Sequence, residues 1–219
     1  MEYREYGSSG DVLSIVAFAG IVVSNETSED SDRYVSWAID QGINYFDVAP
    51  SYGNAQNMLG PALEPYRKDV FLACKTNKRD ARTAQAELEE SLRLLRTDHF
   101  DLYQLHAMSS EEDLEIATGS GGALEVLVRA RDAGKIRHLG FSAHSAEVAI
   151  ELMNRFEFDS VLFPVNFTTW YESGFGSQIM AEAERRGIYR LALKGVAHHG
   201  LADGQDRVRE KCWYAPIED

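Results

Sequence analysis

Asp47 and Tyr52 stand five residues apart in FDVAPSYGN, residues 46–54, an acid at the end of an apolar run and a phenol on the turn after it. Lys75 closes another apolar run, FLACKT, and His106 closes FDLYQLH. Together these four side chains could make a proton donor. A free tyrosine titrates near about 10 and is a poor acid at neutral pH, but a neighbouring ammonium favours the phenolate and lowers that value. Lys75 would supply the charge, and Asp47 beside it would keep the amine protonated in a partly desolvated pocket. His106 could donate a hydrogen bond to a carbonyl oxygen while Tyr52 delivers a proton to the same oxygen. That is half of a reduction. The other half is a hydride, which no side chain donates, so a reduced nicotinamide is implied. Each residue also has a structural reading: Asp47 and Tyr52 as parts of a turn shaped by Pro50 and Gly53, Lys75 and Asp47 as a plain ion pair, and His106 as a core histidine.

The elements that must position these residues follow one pattern. INYFDV, FLACKT, FDLYQLH, IRHLGFS, SVLFPVN and YRLALK are compact and mostly apolar, as expected of parallel strands buried on both faces. Between them, TAQAELEESLRLLRTD puts Leu88, Leu92 and Leu95 on one helical face, and ALEVLVRARDAGK does the same for Leu124, Leu127 and Val128, with Gly134 as its C-cap. Ser145 caps the start of SAEVAIELMNRF, and Gly187 ends SQIMAEAERRG. With the first strand ending at Gly20, later strands end near Asp47, Lys75, His106, Ser142, Asn166 and Lys194, at intervals of roughly 24 to 36 residues, one βα unit each. An open doubly wound sheet and a (β/α)₈ barrel both alternate in this way. No GxGxxG follows the first strand, and the glycine-rich TGSGGAL at 118–124 follows a polar loop and reads as a linker. In a parallel barrel the C-terminal strand ends face one bowl, so the four reactive side chains could meet.

Composition sets bounds. The 219 residues suit one domain, 1–219, and the 44% hydrophobic and 26% charged fractions are those of a folded soluble chain. No apolar stretch approaches the ~20 residues of a membrane span. A formal net charge of −13 argues against a protein that tracks along nucleic acid. Two cysteines, Cys74 and Cys212, are too few for a disulfide framework, and the N-terminus MEYREYGSSG lacks the apolar core of a signal peptide, which together point to the cytoplasm. Cys74 precedes Lys75 within a strand, so its side chain should face the helix layer.

The segments GINYFDVAPSYGN, VFLACKT, DHFDLYQLH and GKIRHLGFS, in this order and spacing, resemble the aldo-keto reductase family over nearly the whole chain. The resemblance implies a (β/α)₈ TIM barrel binding NADPH across its C-terminal face, with Asp47, Tyr52, Lys75 and His106 in the positions of the catalytic four and Tyr52 as general acid. It further suggests cofactor contacts at Gly20, Ile21, Asp47, Ser142 and Asn166, with Lys194 meeting a cofactor phosphate or standing as a solvated lysine. Two positions depart from the family pattern: Ala143, where many members have asparagine, and Leu193, where many stack a tyrosine on the nicotinamide.

A larger departure is that the chain reads as lacking the eighth βα unit, since it stops at KCWYAPIED. A seven-stranded barrel leaves two unpaired edges. Three explanations stand: a longer parent chain, a partner chain that completes the sheet, or a relative that no longer binds cofactor. The expected substrate is a small carbonyl compound, and Met108, Phe167, Trp170, Tyr171, Trp213 and Tyr214 would rim the bowl and favour an apolar or aromatic one. The adjacent His198 and His199 have no partners at metal-ligand spacing, so no metal site is expected. The alternative function is a non-catalytic binding or regulatory protein on the same scaffold.

Overall fold

Apolar runs alternating with amphipathic segments can bury both faces of a parallel sheet only when helices cover one side and the sheet curls over its own other side. That is the architecture of this protein, a computed structural model of which describes residues 1–201, 207 and 210–217. A short antiparallel hairpin comes first, β1 (Tyr3–Glu5) with β2 (Val12–Ser14). The parallel sheet begins with β3 (Phe18–Ala19), and a 3₁₀ turn over Gly20–Val23 leads to α1 (Ser28–Asp40). Then come β4 (Tyr45–Asp47), α2 (Ala55–Leu63), β5 (Phe71–Thr76), α3 (Ala81–Leu94) and β6 (Phe100–Met108). Two helices, α4 (Glu111–Thr118) and α5 (Ala123–Asp132), precede β7 (Ile136–Ala143). The last units are α6 (Ala146–Arg155), β8 (Ser160–Pro164), α7 (Phe167–Tyr171), α8 (Ser177–Arg186) and β9 (Tyr189–Leu193). A second small hairpin, β10 (Ala197–Gly200) with β11 (Tyr214–Pro216), follows.

The seven strands β3 to β9 pair in sequence order, all parallel, as seven consecutive units of the (β/α)₈ fold. β3 and β9 stand at the two ends of the sheet and do not pair with each other, so the expected gap where an eighth strand would lie is present among the described residues. Every expected strand end falls within two residues of the observed one. The hairpins were not legible in the pattern, because each strand is too short to show a period.

Alternation along the strands divides the core. Phe46, Leu72, Cys74, Tyr103, Leu105, Phe141, Val161 and Phe163 face the helices, where Leu88, Leu92, Leu95 and Leu127 meet them. Tyr45, Phe71, Ala73, Leu102, Leu162 and Leu191 face inward. Cys74 is therefore on the helix side as expected, where burial pushes its thiol up to about 12. Helix ends match the sequence signals: the Ser145 side chain accepts from Val148 N at 3.3 Å, and Gly187 closes α8 with φ +72°. TGSGGAL is the connection between α4 and α5. No helix among the described residues is long and apolar enough to cross a membrane.

The first hairpin plugs the N-terminal end of the curl. Tyr6 and Leu13 join the inner cluster, and Asn44, just before β4, ties the hairpin through Ser14 N (2.7 Å) and Val12 O (2.8 Å). His138 of β7 clasps the same end, with Nε2 3.1 Å from Asp11 Oδ2 and Nδ1 3.8 Å from Asp159 Oδ1. Burial disfavours its charged form, but the two carboxylates outweigh that and raise its pKa. Asp11 and Asp159 are lowered, burial being overcome by hydrogen bonds from Arg137 and His138 for Asp11 and from His138 and Leu139 N for Asp159.

A raised histidine stabilises the fold fully below its unfolded value of about 6.5 and ceases to do so as pH rises through its folded value, whereas lowered carboxylates act above about 4. The urea stability difference between wild type and His138→Gln is therefore expected to be largest near pH 5.5, roughly 1 kcal/mol, and to shrink by pH 8.5. A difference that grows with pH would refute the clasp.

Candidate active site

On the inner face, Asp47 ends β4, Lys75 lies one residue before the end of β5, and Gln104 sits midway along β6, the strands pairing in register with Asp47 opposite Ala73 and Lys75 opposite Gln104. Lys75 is 1% exposed and forms an ion pair with Asp47 Oδ1. The lysine Nζ also lies 3.5 Å from Val48 O. Burial alone would push the amine down, but the charge of Asp47 outweighs it and holds Lys75 above its ordinary value. The other carboxylate oxygen of Asp47 accepts from Gln104 Nε2 at 3.2 Å.

The turn after β4 brings in the phenol. Tyr52 N donates to Ala49 O at 3.1 Å, Gly53 takes φ +60°, and Ala55 N closes on Tyr52 O at 3.1 Å to start α2. Lys75 Nζ lies 5.4 Å from the centre of the Tyr52 ring, and the ring stands edge-on to His106 at 6.0 Å and 84°. The structure thus gathers all four sequence-identified residues. One expectation changes: the Tyr52 pKa is raised rather than lowered, because burial dominates and Asp47 adds to it, while Lys75 pulls the other way. The lysine limits the rise in a half-buried phenol.

His106 owes its orientation to an irregularity at the end of β6. The β6–β7 register shifts between Leu105 and Met108, and Ala107 adopts φ +53°, a bulge that turns the strand at the site. Ser142 Oγ accepts Ala107 N at 2.7 Å, and Arg79 donates to His106 O at 2.7 Å. The imidazole Nδ1 meets Asn77 Oδ1 at 2.7 Å, and Asn77 N donates to Glu87 Oε2 at 2.7 Å. Burial first, then the charges of Lys75 and Arg79, lower the His106 pKa to about 3, so the ring is neutral at ordinary pH. Asn77, Arg79 and Gln104 were missed in the sequence, where Asn77 and Arg79 are marked only by following the end of β5 and Gln104 only by being a polar residue within an apolar strand.

The cofactor candidates fall into two groups. Gly20 packs against β4 so closely that a Cβ would sit 2.8 Å from the Val48 side chain, and Ile21 follows it half-buried in the 3₁₀ turn. Ser142 adjoins the quartet through its bond to Ala107, and its own hydroxyl hydrogen has no acceptor among the described residues. At the far strand ends, Asn166 caps α7 through Thr169 N (2.8 Å) and donates to Lys194 O (3.2 Å), which engages much of its amide in local structure. The Lys194 ammonium is exposed and has no ion pair among the described residues. The rim expectation needs correction at Met108, which is fully buried because the bulge directs it to the helix side. Phe167, Tyr171 and Trp213 are exposed, while Trp170 and Tyr214 are half-buried. Leu193 packs on the inner cluster, and Ala143 is buried among the outer core. His198 and His199 lie side by side on β10, their Nδ1 atoms 3.2 Å apart.

A sequence profile described as the aldo/keto reductase family matches residues 22–212. Aldo-keto reductase YhdN of Bacillus subtilis is 34% identical over 166 residues, covering 67% of this chain and 48% of that protein. L-galactose dehydrogenase of Arabidopsis thaliana is 27% identical over 170 residues, covering 71% of this chain and 52% of that protein. Among solved structures, the holo form of a Bacillus halodurans aldo-keto reductase superposes with a TM-score of 0.75 at 22% identity, covering 95% of this chain and 72% of that one. A Bombyx mori aldo-keto reductase in complex with NADP gives a TM-score of 0.68 at 22% identity, covering 87% of this chain and 65% of that one. The chain spans about half the length of these curated relatives.

Two outcomes test the electrostatics of the site. Asp47→Asn removes the charge that offsets burial, so the Lys75 amine is expected to fall below its ordinary value of about 10.4, read by ¹⁵N NMR, with a stability loss of roughly 3 kcal/mol; an amine that stays above that value would show that Asp47 does not hold it charged. The His106 ring C–H resonances are expected to stay flat from pH 5 to 9, and a titration near about 6.5 would mean that burial does not govern the ring.

Proposed function

The chain belongs to the aldo/keto reductase family, and on that premise we propose that it takes part in reducing an aldehyde or ketone to an alcohol, with Tyr52 as the proton donor and NADPH as the reductant. The observation that carries this reading is the meeting of Tyr52 with a lysine that is buried yet held charged by Asp47. The residues present suit a nicotinamide in part. Ser142 keeps a free hydroxyl hydrogen for a carboxamide oxygen, Asn166 keeps one amide hydrogen, and Lys194 offers an unpaired charge for a phosphate. The missing side chain of Gly20 lets the backbone after β3 lie against β4 beside Asp47.

When bound, NADPH supplies a hydride to the carbonyl carbon. The protein's own share is to polarise the oxygen and to protonate it. Tyr52 donates its hydrogen to the oxygen as negative charge develops there, and Lys75 stabilises the phenolate left behind. Asp47 keeps the lysine charged through the step. His106, neutral and with its ring hydrogen at Nδ1 on Asn77 Oδ1, leaves Nε2 as an acceptor, so it would orient a hydroxyl of the substrate or of the alcohol product rather than donate to the carbonyl oxygen as the sequence suggested. The exposed Phe167 and Tyr171 favour an apolar or aromatic substrate. An eighth βα unit, from a longer parent chain or a partner, would close the gap between β9 and β3 and complete the cofactor grip.

A second reading, a binding or regulatory scaffold without turnover, is favoured by the engagement of Asn166 in local structure. Tyr52→Phe separates the two. With the proton gone and the ring kept, NADPH consumption with an aromatic aldehyde is expected to fall at least about 100-fold while NADPH binding is unchanged. Activity within tenfold of wild type would remove Tyr52 from its role, and a wild type that binds NADPH without turnover would favour the second reading.

A further inference from the structure

We propose that Gln104 is a positioning residue of this site, acting through Asp47; the inference rests on the reading of Tyr52, Lys75 and Asp47 as the proton-donating group. Gln104 is fully buried on the inner face of β6, directly opposite Lys75 in the parallel register. Its amide nitrogen donates to Asp47 Oδ2 at 3.2 Å, the oxygen that Lys75 leaves open. A carboxylate held at one oxygen can still swing about its last side-chain bond. Held at both, by an ammonium and by an amide, it has one orientation. That orientation is the one that keeps Lys75 beneath the Tyr52 ring.

Packing does not account for an amide at this position. Gln104 Oε1 is buried with no partner among the described residues, an arrangement that costs stability. Ala73, Leu102, Leu162 and Leu191 supply apolar neighbours on the inner face, so a leucine would fill the place with no orphaned atom. The donated bond to Asp47 is what the amide offers and a leucine cannot. The charged and titratable groups that face this part of the interior are Asp47 and Tyr45 of β4, Lys75 of β5, Tyr52 on the turn after β4, His106 of β6 and, one layer lower, His138 of β7. Replacing the amide by a carboxyl adds an acid beside Asp47, and two carboxylates so close do not both ionise readily.

The test compares wild type, Gln104→Leu, Gln104→Glu and Tyr52→Phe in NADPH-dependent reduction of 4-nitrobenzaldehyde, together with crystal structures of wild type and Gln104→Leu. Gln104→Leu is expected to lower kcat about 30-fold with KM for NADPH within about threefold, and to leave the Asp47 carboxylate rotated or in two conformers. Gln104→Glu is expected to be active near pH 5.5, where its protonated carboxyl donates to Asp47, and to lose activity as the carboxyl ionises, moving the alkaline limb of kcat down by at least about one pH unit. The proposal is overturned if Asp47 superposes on its wild-type position in Gln104→Leu, or if the Gln104→Glu profile is lowered equally at every pH, the mark of a structural role. Failure of the catalytic reading looks different: Tyr52→Phe then retains activity, while the position of Asp47 in the crystal still judges Gln104 without any turnover.

Discussion

A charged amine inside a protein is sustained only by what surrounds it, and the site depends on that constraint at Lys75. Taken out of water, the ammonium loses several kcal/mol of hydration, and the ion pair with Asp47 is what restores the balance in favour of the charged form. Asp47 is in turn a carboxylate at the edge of an apolar interior, held by Lys75 and by Gln104. The pair cannot be read as two surface charges that happen to touch. Each member makes the other tolerable, and the positive charge so retained is what opposes the burial of Tyr52.

The parallel sheet converts this local balance into a site. Parallel pairing sets residues of adjacent strands side by side, so a carboxylate ending β4 and a lysine one residue before the end of β5 are neighbours although 28 positions separate them. The third strand breaks its regular pairing to join them. The bulge at Ala107 spends a left-handed backbone conformation on a residue with a Cβ, and three contacts hold it: Ser142 on the amide, Arg79 on the neighbouring carbonyl, and Asn77 on the imidazole. Strain is localised where orientation matters most. Elsewhere β6 is a regular strand with its outward residues buried against helices.

Much of this was legible in the linear chain. Strands buried on both faces write themselves as apolar runs, and amphipathic helices as leucines at helical spacing, which is why the seven βα units and the ends that bear Asp47, Lys75 and His106 could be read directly. Cys74 could be assigned to the helix side because alternation in a strand leaves no choice. Other features left no trace of that kind. β1 and β2 are three residues each, too short for a period, and Met108 was placed at the rim because a regular strand end would put it there, whereas the bulge turns it to the helix side. The Tyr52 expectation went astray for a related reason: the lysine was visible in the sequence, but the burial that outweighs it is a property of the folded environment.

Chemistry-bearing residues at regular intervals determined, by themselves, which side chains this protein can bring to one end of a sheet, because residue type and strand periodicity are local properties. The tertiary structure alone decided which of them are dry, which oxygen of Asp47 each donor takes, and that Asn166 is engaged in capping α7. Those outcomes depend on solvent exclusion and on contacts between residues far apart in the chain, and neither is encoded at any single position.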